Sequence, residues 1–225
     1  MTSRDNPSAR FRELQRIYAD IHVGGLEQSE DGDGSTLFMG NSLLPFVEII
    51  GATVRATGAR TLLDYGCGKA TIHKQSALTL ADGKRIGALR DYWGIDRVAL
   101  YDPGVAEYAQ LPQGKFDGVI STDVLEHIPE EDIPWVLREF FDYADRFVFA
   151  NVAAYPAKKT LPNGWNAHVT VKPAAWWQGR IGEAARGWLG QDYRFIISEK
   201  RTGLDRLVAK LRGGDKMKRT EIRKP

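Results

Sequence analysis

The stretch "LLDYGCGKA", Leu62 to Ala70, decides the fold. A short apolar run ends at an acid and is followed by two glycines one residue apart. That pattern marks a buried strand turning sharply into a helix. Gly66 and Gly68 permit a tight turn and let a ligand approach the backbone closely. The amides that open the next helix can face a polar group, and Asp64 sets a carboxylate beside the turn. The third glycine of a nicotinamide fingerprint is missing, because position 71 is Thr. The G-x-x-x-x-G-K-S/T pattern of a phosphate loop is absent as well.

Outward from this turn, "RVALYD", "FDGVIST" and "RFVFANV" read as further strands of the same buried type. Helices are predicted over residues 8–19, with Leu14, Ile17 and Tyr18 on one face, over Pro45–Thr57 up to Gly58, over 130–145 and over 173–187. "YRFIISEK" and "DRLVAKLR" read as a closing antiparallel pair that turns at Thr202 and Gly203. Strands alternating with helices predict a mostly parallel sheet covered on both faces. The loops at 24–36, 70–95 and 154–172 are long for a compact domain, and long loops tend to carry function. The first is rich in Gly and acids, but its spacing does not match a calcium loop.

A chain of 225 residues with 43% hydrophobic content suits one domain with a sizeable core. The net charge of +2 favours no class of partner. The charge is uneven, however: residues 210–224 hold seven Lys or Arg against two acids, a basic tail on the simplest reading. One cysteine, Cys67, allows no internal disulfide, which suits a reducing compartment and a cytoplasmic protein. The polar N-terminus lacks a signal-like apolar core. No apolar run reaches the 18 residues of a membrane span.

The second informative stretch is "GVISTDVLEHIPEEDIPWVL", Gly118 to Leu137. Asp123, Glu126 and His127 stand where the strand ends. Three uses compete for them: lining a cofactor cleft, acid–base work by His127, or ligation of a metal with a partner from elsewhere. His168, in the loop after the next strand, is the candidate partner. Glu130, Glu131 and Asp132 follow Pro129 and read as helix-start residues favoured by the N-terminal dipole. Glu126 has a structural alternative too, orienting a loop by accepting backbone amides. In the loop, Tyr155, Trp165 and nearby polar groups suit a sugar ring or a base. Trp176 and Trp177 are adjacent helical residues, so one of them packs on the sheet and the other does not. Asn41 or Ser42 is expected to cap the helix that follows.

"LLDYGCGK" and "FDGVISTDVLEHI" together resemble two motifs of the class I S-adenosylmethionine-dependent methyltransferases, in the subset where an acid-x-x-Glu-His run follows the fourth strand. The resemblance covers about residues 60–200. It implies a three-layer α/β/α sandwich, Rossmann-like, with a mostly parallel seven-stranded sheet. It implies S-adenosylmethionine as cofactor and S-adenosylhomocysteine as product. Asp64 then supports the methionine amine region, and Gly66, Cys67 and Gly68 admit the ligand. Asp102 accepts the ribose hydroxyls, and Thr122 and Asp123 approach the sulfonium. His127, His168 and Glu126 become the catalytic or substrate-orienting groups, and the reaction O-methylation of a polar small molecule or a sugar or glycan precursor. The organisation expected is an N-terminal helical or lid extension over 1–58, the cofactor-binding catalytic domain over 59–212 and a basic tail over 213–225.

Spacing leaves two arrangements open. Asp64 and Asp102 are 38 positions apart, and only 15 separate Asp102 from Asp117. Either residues 70–95 are an insertion and the third strand is reduced, or "RVALYD" is the third strand and "RIGAL" the second. In the second case Asp91 or Asp96 takes the ribose. The first is preferred, since "RIGAL" has weak strand character. A related branch that methylates the terminal ribose of small RNAs resembles this chain at Asp123, Glu126, His127 and His168, which there hold a divalent ion. Neither that metal nor a nucleic-acid partner is favoured here. A cofactor-binding protein without transfer activity is the remaining alternative.

Overall fold

The computed structural model describes residues 2–24, 41–211 and 215–224. Most of the acidic loop at 24–36, part of the expected N-terminal helical or lid extension, lies outside the described residues. After helix α1 (Ala9–Gly24), a 3-10 turn (Asn41–Phe46) leads into helix α2 (Val47–Thr57), which ends on left-handed Gly58. Strand β1 (Thr61–Tyr65) carries the glycine turn at its end. Helix α3 (Thr71–Lys74), strands β2 (Ala77–Thr79) and β3 (Arg85–Gly87) and helix α4 (Leu89–Trp93) precede strand β4 (Arg97–Tyr101). Strand β5 (Phe116–Thr122), helix α5 (Ile133–Tyr143), strand β6 (Ala144–Ala153) and helix α6 (Ala174–Ala184) follow. Strand β7 (Asp192–Lys200), helix α7 (Gly203–Leu211) and strand β8 (Met217–Arg223) close the chain.

The main sheet runs β4-β1-β5-β6-β7-β8, parallel throughout except for β8. This is a Rossmann-like α/β fold. Strand alternation sends side chains to two cores. Leu63, Val119, Val148 and Phe195 face α5 and α6, with Trp177 fully buried among them. Leu62, Ile120, Phe147 and Phe149 face α2 and α4. Gly118 is needed at this second layer, because a Cβ there would lie 2.3 Å from the Phe147 ring and 2.7 Å from Leu62.

The structure corrects several expectations. The sheet has six strands among the described residues, not seven. Among the described residues no strand pairs with the outer edge of β4, and the stretch between β4 and β5 is too short for a crossover and holds one 3-10 turn (Ala106–Tyr108). "RVALY" pairs directly with β1, whereas Arg85–Gly87 of "RIGAL" joins β2 in a separate hairpin. Residues 70–95 are thus an insertion of two short helices and that hairpin. "DRLVAKLR" is helical, and the antiparallel partner of β7 is "MKRTEIR", drawn from the segment expected as a basic tail. Ser42 caps no helix: its Oγ lies 3.2 Å from the Thr122 carbonyl and 3.1 Å from the Thr122 hydroxyl.

Candidate functional site

In a parallel α/β sheet, successive crossovers to opposite sides of the first strand leave a crevice at the carboxyl ends. Here β4 lies on one side of β1 and β5 on the other. A cavity of about 580 Å³ opens at that point. Gly66, Gly68, Asp102, Thr122, Asp123, His127 and His168 all line it. Sequence motifs as far apart as Gly66 and His168 therefore meet in one place.

Asp102 stands at the end of β4. Its Oδ2 accepts the Gly68 amide at 2.8 Å and its Oδ1 the Gly104 amide at 2.9 Å. Burial raises its pKa, and these two amides and the nearby His22 pull it back. The carboxylate thus braces the glycine turn from beneath. Gly66 has φ 82°, and a Cβ there would lie 2.3 Å from Val124 Cγ2. Only glycine lets β1 turn this close to the β5 end.

Two residues expected at the cofactor do not line the cavity. Asp64 is buried and pairs with His73 Nε2 at 2.7 Å. Cys67 is buried beside the turn, where burial and the charges of Asp64 and Asp102 push its thiol pKa far up. A thiol so disfavoured as thiolate is no nucleophile.

At the end of β5, Asp123 has φ 61°, a left-handed conformation that Asp adopts more readily than most residues with a Cβ. The 3-10 turn Leu125–His127 follows, and it drives neighbouring side chains in opposite directions. His127 faces the cavity. Glu126 is fully buried beneath it, and its Oε1 accepts the Ala153 amide at 2.6 Å. Burial first, and then the Asp123 charge, raise the Glu126 pKa well above the usual carboxylate range. This carboxyl, tied to the end of β6, holds the loop. Glu126, expected among the catalytic groups, does not line the cavity that His127 and His168 share.

His127 and His168 are oriented in the same manner. His127 Nδ1 lies 2.8 Å from the Ala167 carbonyl and 2.8 Å from the Tyr18 hydroxyl. His168 Nδ1 lies 2.6 Å from the Tyr155 carbonyl. A carbonyl only accepts, so each Nδ1 is assigned the proton and Nε2 the lone pair. The rings meet edge to face at 5.0 Å between centroids. Burial pushes the His127 pKa down to about 4, against the pull of Asp123 and with the help of His168. It is a neutral imidazole near neutral pH.

The loop that delivers His168 is built, not slack. Asn166 Oδ1 accepts the amides of Ala157 and His168 at 2.9 and 3.0 Å, and Asn166 Nδ2 donates to the Ala157 carbonyl. The Thr170 amide donates to the Glu126 carbonyl, and the Thr170 hydroxyl to that of Ile128.

Helix α1 supplies a wall that sequence reasoning missed. Phe11, Leu14, Gln15, Tyr18 and His22 line the cavity from one helical face. The helix is anchored by the Arg4–Glu139 ion pair, by Arg4 on the Tyr65 hydroxyl at 2.7 Å and by the Ser8 amide on Asp132 at 3.0 Å. The Phe11, Leu14, Tyr18 spacing signals an apolar face, but not that the face borders a cavity. Asp132 is a helix-start residue as expected, while Glu130 pairs with Lys172.

No protein-family model and no curated protein matches the sequence. Among solved structures, the chain is similar to the mitomycin 7-O-methyltransferase MmcR, with 16% identity over 90% of this chain and a TM-score of 0.39. It spans 54% of that protein's length. It is also similar to magnesium protoporphyrin IX methyltransferase from Synechocystis PCC 6803 with bound SAH, at 19% identity over 94% of this chain and 78% of that one, TM-score 0.30. At these scores the matches carry no functional argument, and the site has to speak for itself.

Proposed function

We propose that the chain is an S-adenosylmethionine-dependent methyltransferase acting on a hydroxyl of a polar small molecule, with a sugar or glycan precursor as the class that suits the site. The observation that carries this reading is one cavity with two chemically different ends. Gly66, Gly68 and Asp102 form a nucleotide-type end, and the imidazoles of His127 and His168 form the other.

The first end fits the cofactor. Each Asp102 oxygen accepts one backbone amide, and a carboxylate has about four lone-pair sites, so capacity remains for a ribose diol. When bound, the cofactor supplies an activated methyl group on a sulfonium. What falls to the protein is alignment, exclusion of water and handling of the acceptor's proton. His127 and His168 orient the hydroxyl through their Nε2 lone pairs. Tyr155, Lys158 and Lys159 border the space the acceptor would fill.

A small acceptor is better supported than an RNA end. The α1 wall closes one side, and among the lining residues two lysines face Asp102 and Asp123, which makes no basic groove. The test is calorimetric titration of the protein with S-adenosylhomocysteine, followed by a methyl-donor assay over monosaccharides and their nucleotide-linked forms. Saturable one-to-one binding is expected; its absence removes the reading. Binding without turnover on any hydroxyl acceptor would favour a non-catalytic cofactor-binding protein.

A further inference from the structure

We propose that the acceptor carries a phosphoryl group, and that Lys158 and Lys159 hold it at the acceptor end of the cavity. Both lysines line the cavity and both are exposed, which puts them at its mouth.

Three observations carry this. First, neither lysine has a carboxylate partner among the described residues. Lys74, Lys84, Lys115 and Lys172 do, on Glu107, Glu48, Asp145 and Glu130. Two neighbouring cations without a counter-charge repel each other, and an anion between them relieves that repulsion.

Second, the backbone that carries them is tied down. Residues 157–161 fold back on 165–167. Thr160 bridges Asn166, the Ala167 amide donates to the Lys159 carbonyl at 3.1 Å, and the Leu161 amide donates to the Trp165 carbonyl at 2.7 Å. Leu161 is buried and pins the turn. The backbone is thus ordered before a ligand arrives, and only the side chains have to be ordered by it.

Third, further cations stand behind the pair. Lys200, at the end of β7, lies over the Tyr155 ring at 5.3 Å. Arg219, from the basic end of the chain, is brought to the same side by β8. Its charge reaches the Tyr155 hydroxyl: burial, Asp123 and Glu126 raise the pKa there, and Arg219 pulls it back. Lys158, Lys159, Lys200 and Arg219 outnumber Asp123 and Glu126, so this end of the cavity attracts an anion.

The charge selects the class. A phosphate ester carries about −1.5 to −2 charges near neutral pH, more than the single charge of a carboxylate. Lysine ammonium groups bind it as point charges, without the planar match that arginine offers. Two lysines make no track for a polyanion, in keeping with a small acceptor. That the anion belongs to a methyl acceptor rests on the proposed transfer; that an anion binds here does not.

The test is calorimetric titration of the full chain with inorganic pyrophosphate and, separately, with acetate, each with and without saturating S-adenosylhomocysteine. One-to-one pyrophosphate binding that weakens as salt rises is expected, without saturable binding of acetate. The Lys158→Ala/Lys159→Ala double variant should bind pyrophosphate at least about tenfold more weakly, as charge-assisted hydrogen bonds are lost. Its thermal midpoint should match the parent's, since both side chains are exposed. Lys84→Ala, at a lysine paired with Glu48 outside the cavity, should bind as the parent does. Absence of saturable pyrophosphate binding overturns the proposal, as does equal binding by the double variant. Acetate binding as tight as that of pyrophosphate overturns the phosphoryl class. If pyrophosphate binds and S-adenosylhomocysteine does not, the transfer reading falls and the anion site stands; the reverse result removes the anion site alone.

Discussion

The Gly68 amide donates to Asp102 Oδ2 at 2.8 Å, joining the glycine turn after β1 to the acid that ends β4. One side chain thus shapes the loop and borders the cavity. Replacing Asp102 by Asn sets an amide NH2 against the Gly68 or the Gly104 donor. A loss of about 1–3 kcal/mol in stability is expected from the unmatched amide. The affinity for S-adenosylhomocysteine should fall at least tenfold, roughly one good hydrogen bond. Denaturant melts and calorimetry check both, and unchanged affinity would remove Asp102 from the ribose.

Gly66→Ala meets two obstacles of different origin. The new Cβ lies 2.3 Å from Val124 Cγ2, and φ 82° is left-handed. Overpacking costs about 1–3 kcal/mol, and the backbone term about 1–2 kcal/mol. Adding Val124→Ala should restore the steric part and leave the backbone part. Chemical denaturation of the single and double variants measures the split. Full recovery in the double variant would show that φ at this position is not constrained.

How much of this was legible in the chain follows from what kind of signal each feature leaves. Strands buried on both faces leave apolar runs, so β1, β5 and β6 stand out. The acid and glycines that end β1 stand out because polar residues interrupt such a run. Edge strands bury little: in β8 only Ile222 is buried, and "MKRTEIR" looks like a tail. In "GLDRLVAKL" the apolar residues at 204, 207, 208 and 211 follow helical spacing, which the sheet expectation overrode. The site's acids and histidines were visible as types. Their orientation was not, because it depends on single carbonyls and on Tyr18, 109 positions from His127. A 3-10 turn sends Glu126 down and His127 up, and no periodicity in "VLEHI" announces it.

The buried Glu126 gives a prediction opposite to that for a catalytic acid. Burial and the Asp123 charge raise its pKa, and its Oε1 accepts the Ala153 amide. Glu126→Gln keeps an acceptor of the same shape and should leave stability within about 0.5 kcal/mol, as for a neutral substitution. Glu126→Ala strands the Ala153 amide and opens a void, costing about 1–3 kcal/mol. Thermal melts rank the three proteins. A large loss of transfer rate in Glu126→Gln with an unchanged melt would return Glu126 to the reacting groups.

Asn166 is a positioning residue whose effect should appear in the loop before it appears in the core. Asn166→Ala removes the acceptor of the Ala157 and His168 amides. Hydrogen exchange at residues 155–168 should quicken, while the strands keep their protection. Asn166→Asp, which retains the acceptor oxygen, should recover part of the lost protection. Equal exchange rates in parent and variant would mean that other bonds hold the loop.

At the opposite, amino-terminal end of β5, Asp117 makes stability depend on pH in a defined window. Its Oδ2 accepts the amides of Arg60 and Thr61 at 2.8 and 2.9 Å and the Thr61 hydroxyl at 3.1 Å, and its Oδ1 meets Arg146 at 2.9 Å. Burial opposes ionisation, but these donors outweigh it and hold the pKa below the ordinary 3.8. The folded state therefore binds its proton later than the unfolded chain does. The stabilisation is fully present above about pH 4 and is lost as the pH falls through the depressed value. Asp117→Asn should be less stable than the parent by about 1–3 kcal/mol near neutral pH, since hydrogen bonds to a charged acceptor are lost. The gap should stay constant from neutral pH down to about pH 4 and close only below it. Denaturant midpoints across that range decide the matter: a gap that closes at higher pH would place the titrating group elsewhere.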